Sequence, residues 1–193
     1  MALKLLVIGA NQGNAEELKA VASATVGGAA EIVTATLDNY KQVRDADLYV
    51  CMVNRQPEVE SVFGAEKVVG IELVPPTDYF IKISQIPAGS SVVVFNNSAA
   101  GTKVLMDYLQ RYNLMHVQYD IVPYDEWPPQ QVAAKIAAAR YITGGVAYVG
   151  PGKTLYSSFG GSLSPEATII VSPPRIATAT SISQLAHVFS ALY

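Results

Sequence analysis

The sequence predicts an α/β protein in which short buried strands alternate with amphipathic helices. Some segments, such as Leu3–Gly9, are apolar at consecutive positions, as expected for strands of a parallel sheet whose two faces are both covered. Others repeat apolar residues with a period of 3.6, as Val104, Tyr108 and Leu109 do within residues 98–112. Half of the 193 residues are apolar and 15% are charged, so the chain can bury a substantial core.

The first half of the chain contains four predicted strands, each followed by a helix. Asn14 begins the first helix, with Glu17 three residues later in capping-box spacing, and Gly27-Gly28 ends it. The strands are predicted at Leu3–Gly9, 31–37, 48–53 and 67–74. The later helices are predicted at 39–45, from Pro57 onward, and from Thr77 to the turn at 87–89.

The second half repeats this alternation. Its strands are predicted at 91–95, 116–122, 141–149 and 168–171, and its first two helices at 98–112 and 128–140. Segment 155–161 is rich in serine and glycine and is a poor helix. Ser181 and Gln184 form a second capping box, which opens a C-terminal helix.

Strands separated by helices favour parallel pairing through right-handed crossovers. The turn at 87–89 separates two halves of similar length and similar pattern. We therefore predict two Rossmann-like α/β lobes with parallel sheets, at 1–88 and 89–193, with a return of the C-terminal helix to the first lobe left open. One larger sheet is the alternative.

Composition argues against several classes of partner. The net charge of −3 and the scattered basic residues do not predict a nucleic-acid-binding surface. The single cysteine, Cys51, fits a reducing compartment, and no apolar run reaches the length of a membrane span. We expect a cytoplasmic protein that does not contact a membrane.

Two phosphate-binding patterns fail at identifiable positions, and we predict no cofactor. The segment after the first strand lacks the dinucleotide fingerprint, because Asn11 stands where the second glycine belongs. Gly152-Lys153-Thr154 lacks the earlier glycine of a phosphate loop, because Ala147 holds that position. His116, His187 and Cys51 are separated in sequence, so we predict no metal site.

Small and polar residues follow nearly every predicted strand, where ligands bind in open parallel sheets. Arg55 is the candidate partner for an anionic group, and Lys153 lies in a glycine-rich loop that could hold a small carboxylate or phosphate. Gly144 and Gly145 would let the backbone approach a ligand. The candidate ligand-binding residues are Asn11, Asn54, Arg55, Thr77, Asn97, Ser98, Gly144, Gly145 and Lys153.

Four short blocks carry a resemblance to a known family. They are the strand end at 51–55, which closes on Arg55, the segment 70–79 with its Pro75-Pro76-Thr77, the segment 91–101, and the glycine-rich strand end at 142–145. Their order resembles the N-terminal sensory domain of the propionate-catabolism activators, which are bacterial enhancer-dependent transcriptional regulators. The chain differs from the family at Gln56-Pro57 and in its longer, more glycine-rich loop at 150–165.

The resemblance implies a periplasmic-binding-protein-like fold with a small-molecule cleft between its lobes. It also implies a regulatory domain that senses a small metabolite and does not itself contact DNA. Arg55 is the reason to expect that this metabolite is anionic. Self-association into a homo-oligomer is compatible with this function.

Two other functions remain open from the sequence. One is an enzyme on a two-lobed α/β scaffold, with isomerase-like, racemase-like or decarboxylase-like chemistry. A racemase of that shape uses two cysteines, whereas this chain has Cys51 alone. The other is a protein–protein interaction module that uses some of the eleven tyrosines.

Overall fold

A computed structural model describes residues 3–43 and 45–192 of the chain. The strands are β1 Leu3–Gly9, β2 Ala30–Thr36, β3 Leu48–Met52, β4 Val68–Ile71, β5 Leu73–Val74, β6 Ser91–Asn96, β7 Gln118–Pro123, β8 Tyr141–Gly145, β9 Thr168–Ser172 and β10 Ile176–Ala177. The helices are α1 Gln12–Val26, α2 Gln56–Phe63, α3 Thr77–Ser84, α4 Ala99–Arg111, α5 Pro129–Ala138, α6 Val146–Val149, α7 Thr154–Phe159 and α8 Ala179–Ser190. The α/β, Rossmann-like architecture is confirmed.

The chain forms two compact units. The first unit comprises the chain up to Val74 together with the segment from Arg175 onward, and the second comprises Pro75–Pro174. The chain therefore passes from one unit to the other twice. These division points differ from the boundary at 88–89 that the sequence suggested.

The first unit is built on a parallel sheet with strand order β2-β1-β3-β4. Leu5 and Val7 of β1 pack on the side of the sheet that contacts Leu18 of α1 and Leu185 of α8. The alternate residues of β1 pack on the opposite side, which is covered by Val59 of α2. Because both sides are covered, β1 is apolar at consecutive positions, as the sequence indicated.

The second unit repeats this topology in the strand order β7-β6-β8-β9, again with every pairing parallel. One side of its sheet packs against α5, through Val132 and Ile136, and against Leu155 of α7. Helix α4 packs against β6 and β7, and α3 packs against β9. In each unit the first strand lies between the second and the third.

The division at Val74–Pro75 has a simple cause in the helix packing. Helix α3 follows the strands of the first unit in sequence but packs against β9 of the second. Conversely, α8 follows β9 but packs against α1 and β4 of the first unit. Each unit therefore takes a helix from the half of the sequence that builds the other sheet.

Several predicted elements have different limits in the structure. The strand predicted at 67–74 is split into β4 and β5, which belong to different sheets, because β5 pairs antiparallel with β10. The strand predicted at 141–149 ends at Gly145, and its apolar remainder forms α6. Only Tyr40–Gln42 of the helix predicted at 39–45 is helical, as one 3₁₀ turn, and Arg44 lies outside the described residues.

Three further predictions about helices were wrong: the starts of α1 and α8, and the expectation that segment 155–161 is a poor helix. The α1 cap is Asn11, whose side chain accepts a hydrogen bond from the Asn14 N–H, so Asn14 lies inside the helix. The α8 cap is Thr178, whose side chain accepts from the Ser181 N–H. Segment 155–161 was expected to be a poor helix, yet α7 occupies most of it.

Candidate functional site

Each sheet has a point where its connections run in opposite directions, which is where parallel sheets usually bind ligands. In the first unit this point lies between β1 and β3, so the segments after Gly9 and Met52 leave the same edge. In the second unit it lies between β6 and β8, at the segments after Asn96 and Gly145. Five of the nine candidate residues follow these strands closely, and Gly144 and Gly145 are the last two residues of β8.

In the first unit, Asn11 is part of the turn that starts α1. Its side chain caps the helix by accepting from the Asn14 N–H at 3.0 Å. Gly9 makes the turn possible, because a Cβ at that position would lie 2.2 Å from the Ala15 nitrogen. The first turn of α1 contains no acidic residue, so its positive dipole end is not neutralised by a carboxylate of that turn.

Asn54 and Arg55 lie on the 3₁₀ turn Val53–Arg55 that joins β3 to α2. Both residues are exposed, and 49% of the Arg55 side chain is accessible. The guanidinium lies 3.5 Å from Glu58 at the nearest atoms, which is a long contact for an ion pair. Such a contact holds Arg55 weakly, so its donors remain available to another anion.

The corresponding edge of the second unit is already supplied with a carboxylate. Ser98 caps α4 by accepting from the Gly101 N–H at 3.1 Å. The carboxylate of Glu126 accepts from the Ala99 N–H at 3.1 Å, so an anion of this chain lies at the start of the helix. Asn97 is half-buried next to this start, and its N–H donates to the side chain of Asn96.

An aromatic cluster of Phe95, Tyr124, Tyr148 and Phe159 lies near this second edge. Tyr124 stacks on Phe95 with the ring centroids 4.7 Å apart, and it meets Tyr148 edge to face. Burial raises the pKa of the Tyr124 hydroxyl, and a hydrogen bond with Thr154 lowers it in part. The cluster therefore combines an apolar surface of aromatic rings with the neutral hydroxyl of Tyr124.

The two candidate glycines have different local roles. A Cβ on Gly144 would lie 2.4 Å from the carbonyl oxygen of Phe95, so a close approach of β8 to β6 requires glycine there. A Cβ on Gly145 would meet only the Tyr148 ring, at an ordinary 3.7 Å. Gly145 therefore has no packing requirement and leaves backbone accessible beside an aromatic ring.

Lys153 and Thr77 lie farther along the chain from these strand ends. Lys153 is exposed and precedes α7, directly after Gly152, whose φ of 71° is in the left-handed region. Thr77 is the exposed first residue of α3. The structure therefore groups Asn11 with Asn54 and Arg55 at one edge, and Asn97 and Ser98 with Gly145 at another.

Three residues near the second edge were not predicted from the sequence: Glu126, Tyr124 and Thr154. Glu126 reaches the start of α4 from a turn 27 residues away, and no spacing rule indicates such a contact. Tyr124 belongs to the aromatic cluster at the second edge and follows β7 directly. Its position directly after β7 was the signal that could have identified it.

Within residues 3–43 and 45–192, no cluster of three or more histidine, cysteine, aspartate or glutamate side chains could hold a metal ion. Cys51 is buried in β3, and burial raises the pKa of its thiol to about 12. A thiol with that pKa is not a nucleophile near neutral pH. Over the same residues, no helix combines the length and apolar character needed to cross a membrane.

Comparison with known proteins gave no match at a significant level to a family model, a curated protein or a solved structure. The resemblance to the sensory domain of the propionate-catabolism activators therefore stays a prediction.

Proposed function

We propose that this chain is a ligand-sensing regulatory domain that binds a small anionic metabolite. The anion would lie at the carboxyl edge of the first sheet, between the start of α1 and the turn that carries Arg55. A periplasmic-binding-protein-like fold belongs to the same proposal, and the two passages of the chain between its units support it.

The observation that carries the proposal is the position of Arg55 and its weak pairing within the chain. It lies at the strand-order switch point, it is half exposed, and its contact with Glu58 is long. An arginine fork binds a carboxylate through two parallel hydrogen bonds. The nearby start of α1 adds N–H groups and a favourable dipole without an acidic residue of its own first turn.

The edge of the second sheet has a different chemical character. Glu126 already lies at the start of α4, so a second anion there would meet repulsion. Asn97, the Tyr124 hydroxyl and the accessible backbone of Gly145 instead suit neutral polar groups. We assign the anion to the first unit for this reason.

Calorimetric titration with small mono-, di- and tricarboxylates tests the proposal. We expect Arg55→Ala to weaken the best carboxylate roughly tenfold or more, and Arg55→Lys to restore only part of the loss. Arg111→Ala is the matched control. It also removes one arginine, but Arg111 lies in the second unit, in the last turn of α4 and at the opposite end of that helix from Ser98.

The proposal would be wrong if Arg55→Ala and wild type bound the carboxylate equally well. It would also be wrong if no carboxylate bound the wild-type protein. Far-ultraviolet circular dichroism of each variant separates loss of the site from loss of the fold.

A further inference from the structure

The second unit contains a cavity at the amino-terminal edge of its sheet, opposite the edge that carries Asn97 and Gly145. Its volume is about 300 Å³, at the lower end of the range for small-molecule sites. It opens beside Ser91, the first residue of β6, and Tyr141, the first residue of β8. The C-terminal end of α5 forms another part of its wall.

Charged side chains line this cavity, and their net charge is positive. Lys135 of α5 donates to the carboxylate of Asp120 of β7 at 2.6 Å. Arg140 adds a second cation, and its guanidinium lies 5.7 Å from the centroid of the Tyr141 ring. None of the ion pairs found among the described residues includes Arg140. Two cations and one carboxylate leave one net positive charge.

Two serine residues line the same space. Ser90 and Ser91 both line the cavity, and among the hydrogen bonds of the described residues none uses either hydroxyl. The backbone groups of Ser90 are already engaged, since its N–H donates to Pro87 and its carbonyl accepts from Gln118. Only its hydroxyl is left to bind a ligand.

We propose that this cavity binds the phosphate group of a small metabolite. A guanidinium fork, a lysine ammonium and two hydroxyl donors together match the several acceptor oxygens of a phosphate. Lys135 lies where it can bridge Asp120 and the phosphate, so its existing ion pair positions the ammonium group. The Asp120 carboxylate repels an anion, so only an anion that contacts both Lys135 and Arg140 is bound favourably.

This site is distinct from the one proposed at Arg55, because it lies at the other kind of sheet edge and in the other unit. The two proposals can therefore fail separately. A chain with both sites would bind a carboxylate through Arg55 and a phosphate through Arg140.

Titration of the full chain with inorganic phosphate, followed by amide chemical shifts in nuclear magnetic resonance, tests the site. We expect shifts centred on Ser90, Ser91 and Arg140. We expect Arg140→Gln and Lys135→Gln each to reduce phosphate affinity roughly tenfold. Arg111→Gln and Lys103→Gln are charge-matched controls on α4 and should bind phosphate as wild type does.

Arg55→Ala separates the two sites, since it should leave the phosphate-induced shifts at Ser90, Ser91 and Arg140 unchanged. Equal phosphate affinity in Arg140→Gln and wild type would overturn the proposal, as would shifts confined to other residues. Acetate that shifted the amides of Ser90, Ser91 and Arg140 with the same affinity as phosphate would also overturn it, because a carboxylate lacks the additional oxygens. Should Lys135→Gln unfold because Asp120 loses its partner, Ser91→Ala and Arg140→Gln still decide the outcome.

Discussion

The hydroxyl of Tyr79 lies 3.0 Å from that of Thr143, and this buried hydrogen bond links α3 to β8 across 64 residues of sequence. Thr143 has one hydroxyl proton, which it donates to the carbonyl of Ile170 at 2.8 Å on the neighbouring strand. Tyr79 must therefore be the donor to Thr143. Burial raises the pKa of the Tyr79 hydroxyl, which keeps it protonated for this role.

This direction of donation predicts unequal effects from two substitutions. Tyr79→Phe removes a donor but leaves the Thr143 proton bonded to Ile170, so we expect a loss of about 0.5–1.5 kcal/mol in unfolding free energy. Thr143→Val leaves both the Tyr79 hydroxyl and the Ile170 carbonyl without this partner, so we expect about 1–3 kcal/mol. Urea unfolding of both variants measures the difference. A loss for Tyr79→Phe as large as that for Thr143→Val would contradict this expectation.

Two adjacent glycines provide a matched pair for a test of backbone approach. Gly144→Ala places a methyl group 2.4 Å from the Phe95 carbonyl oxygen, so β8 and β6 must separate. We expect a loss of about 1–3 kcal/mol, as for other overpacked sites. Gly145→Ala meets only ordinary contacts and should change stability by less than about 1 kcal/mol. Thermal unfolding of the two variants would contradict this if their midpoints shifted equally.

The order of strands and helices could be predicted from the sequence because periodicity is a local signal. The limits of β8 could not, since Val146 and Val149 suit a strand as well as a helix. The structure shows that Val149 is buried in α6, next to the close approach that Gly144 permits. This outcome depends on tertiary packing, which no local pattern contains.

The candidate site shows the same limit. The positions of Asn11, Arg55 and Ser98 after strands could be read from the sequence, because strand ends carry a local pattern of small and polar residues. The carboxylate of Glu126 at the start of α4 could not, because the contact joins two separate turns. Our proposal that the first sheet edge binds the anion depends on that one contact, so the sequence alone left the choice open.

An ion pair connects the C-terminal segment of the first unit to α1. Arg175 donates to the Glu17 carboxylate at 2.5 Å, and both side chains are mostly buried, with 22% and 31% of their surface accessible. Glu17→Ala leaves the arginine without this partner, so we expect a loss of about 1–3 kcal/mol, between the values for exposed and buried pairs. Urea unfolding measures it.

The exposed pair of Lys103 and Asp107 is the control for this experiment. Its side chains are 74% and 56% accessible, so Asp107→Ala should cost less than about 0.5 kcal/mol. Equal losses in the two variants would mean that burial adds nothing to the Glu17 pair.

The Cys51 thiol predicts a loss of stability at alkaline pH. Burial, followed by the nearby carboxylates of Glu60 and Glu58, raises its pKa from 9.0 to about 12. The folded protein therefore keeps a proton that the unfolded chain releases above pH 9, so this contribution is complete below pH 9 and is lost as pH rises toward 12. The slope due to this one group is at most about 1.4 kcal/mol per pH unit.

Urea unfolding of wild type and Cys51→Ala between pH 8 and 11 checks this expectation. We expect the variant to be less stable than wild type at pH 8, because it loses a buried side chain, and to lose less stability as the pH rises. Val104→Ala is the control, since Val104 is exposed and has no ionisable group, so this variant should give the wild-type slope. Parallel curves for wild type and Cys51→Ala would mean that the thiol ionises as readily in the folded protein as in the unfolded chain, which its complete burial in β3 opposes.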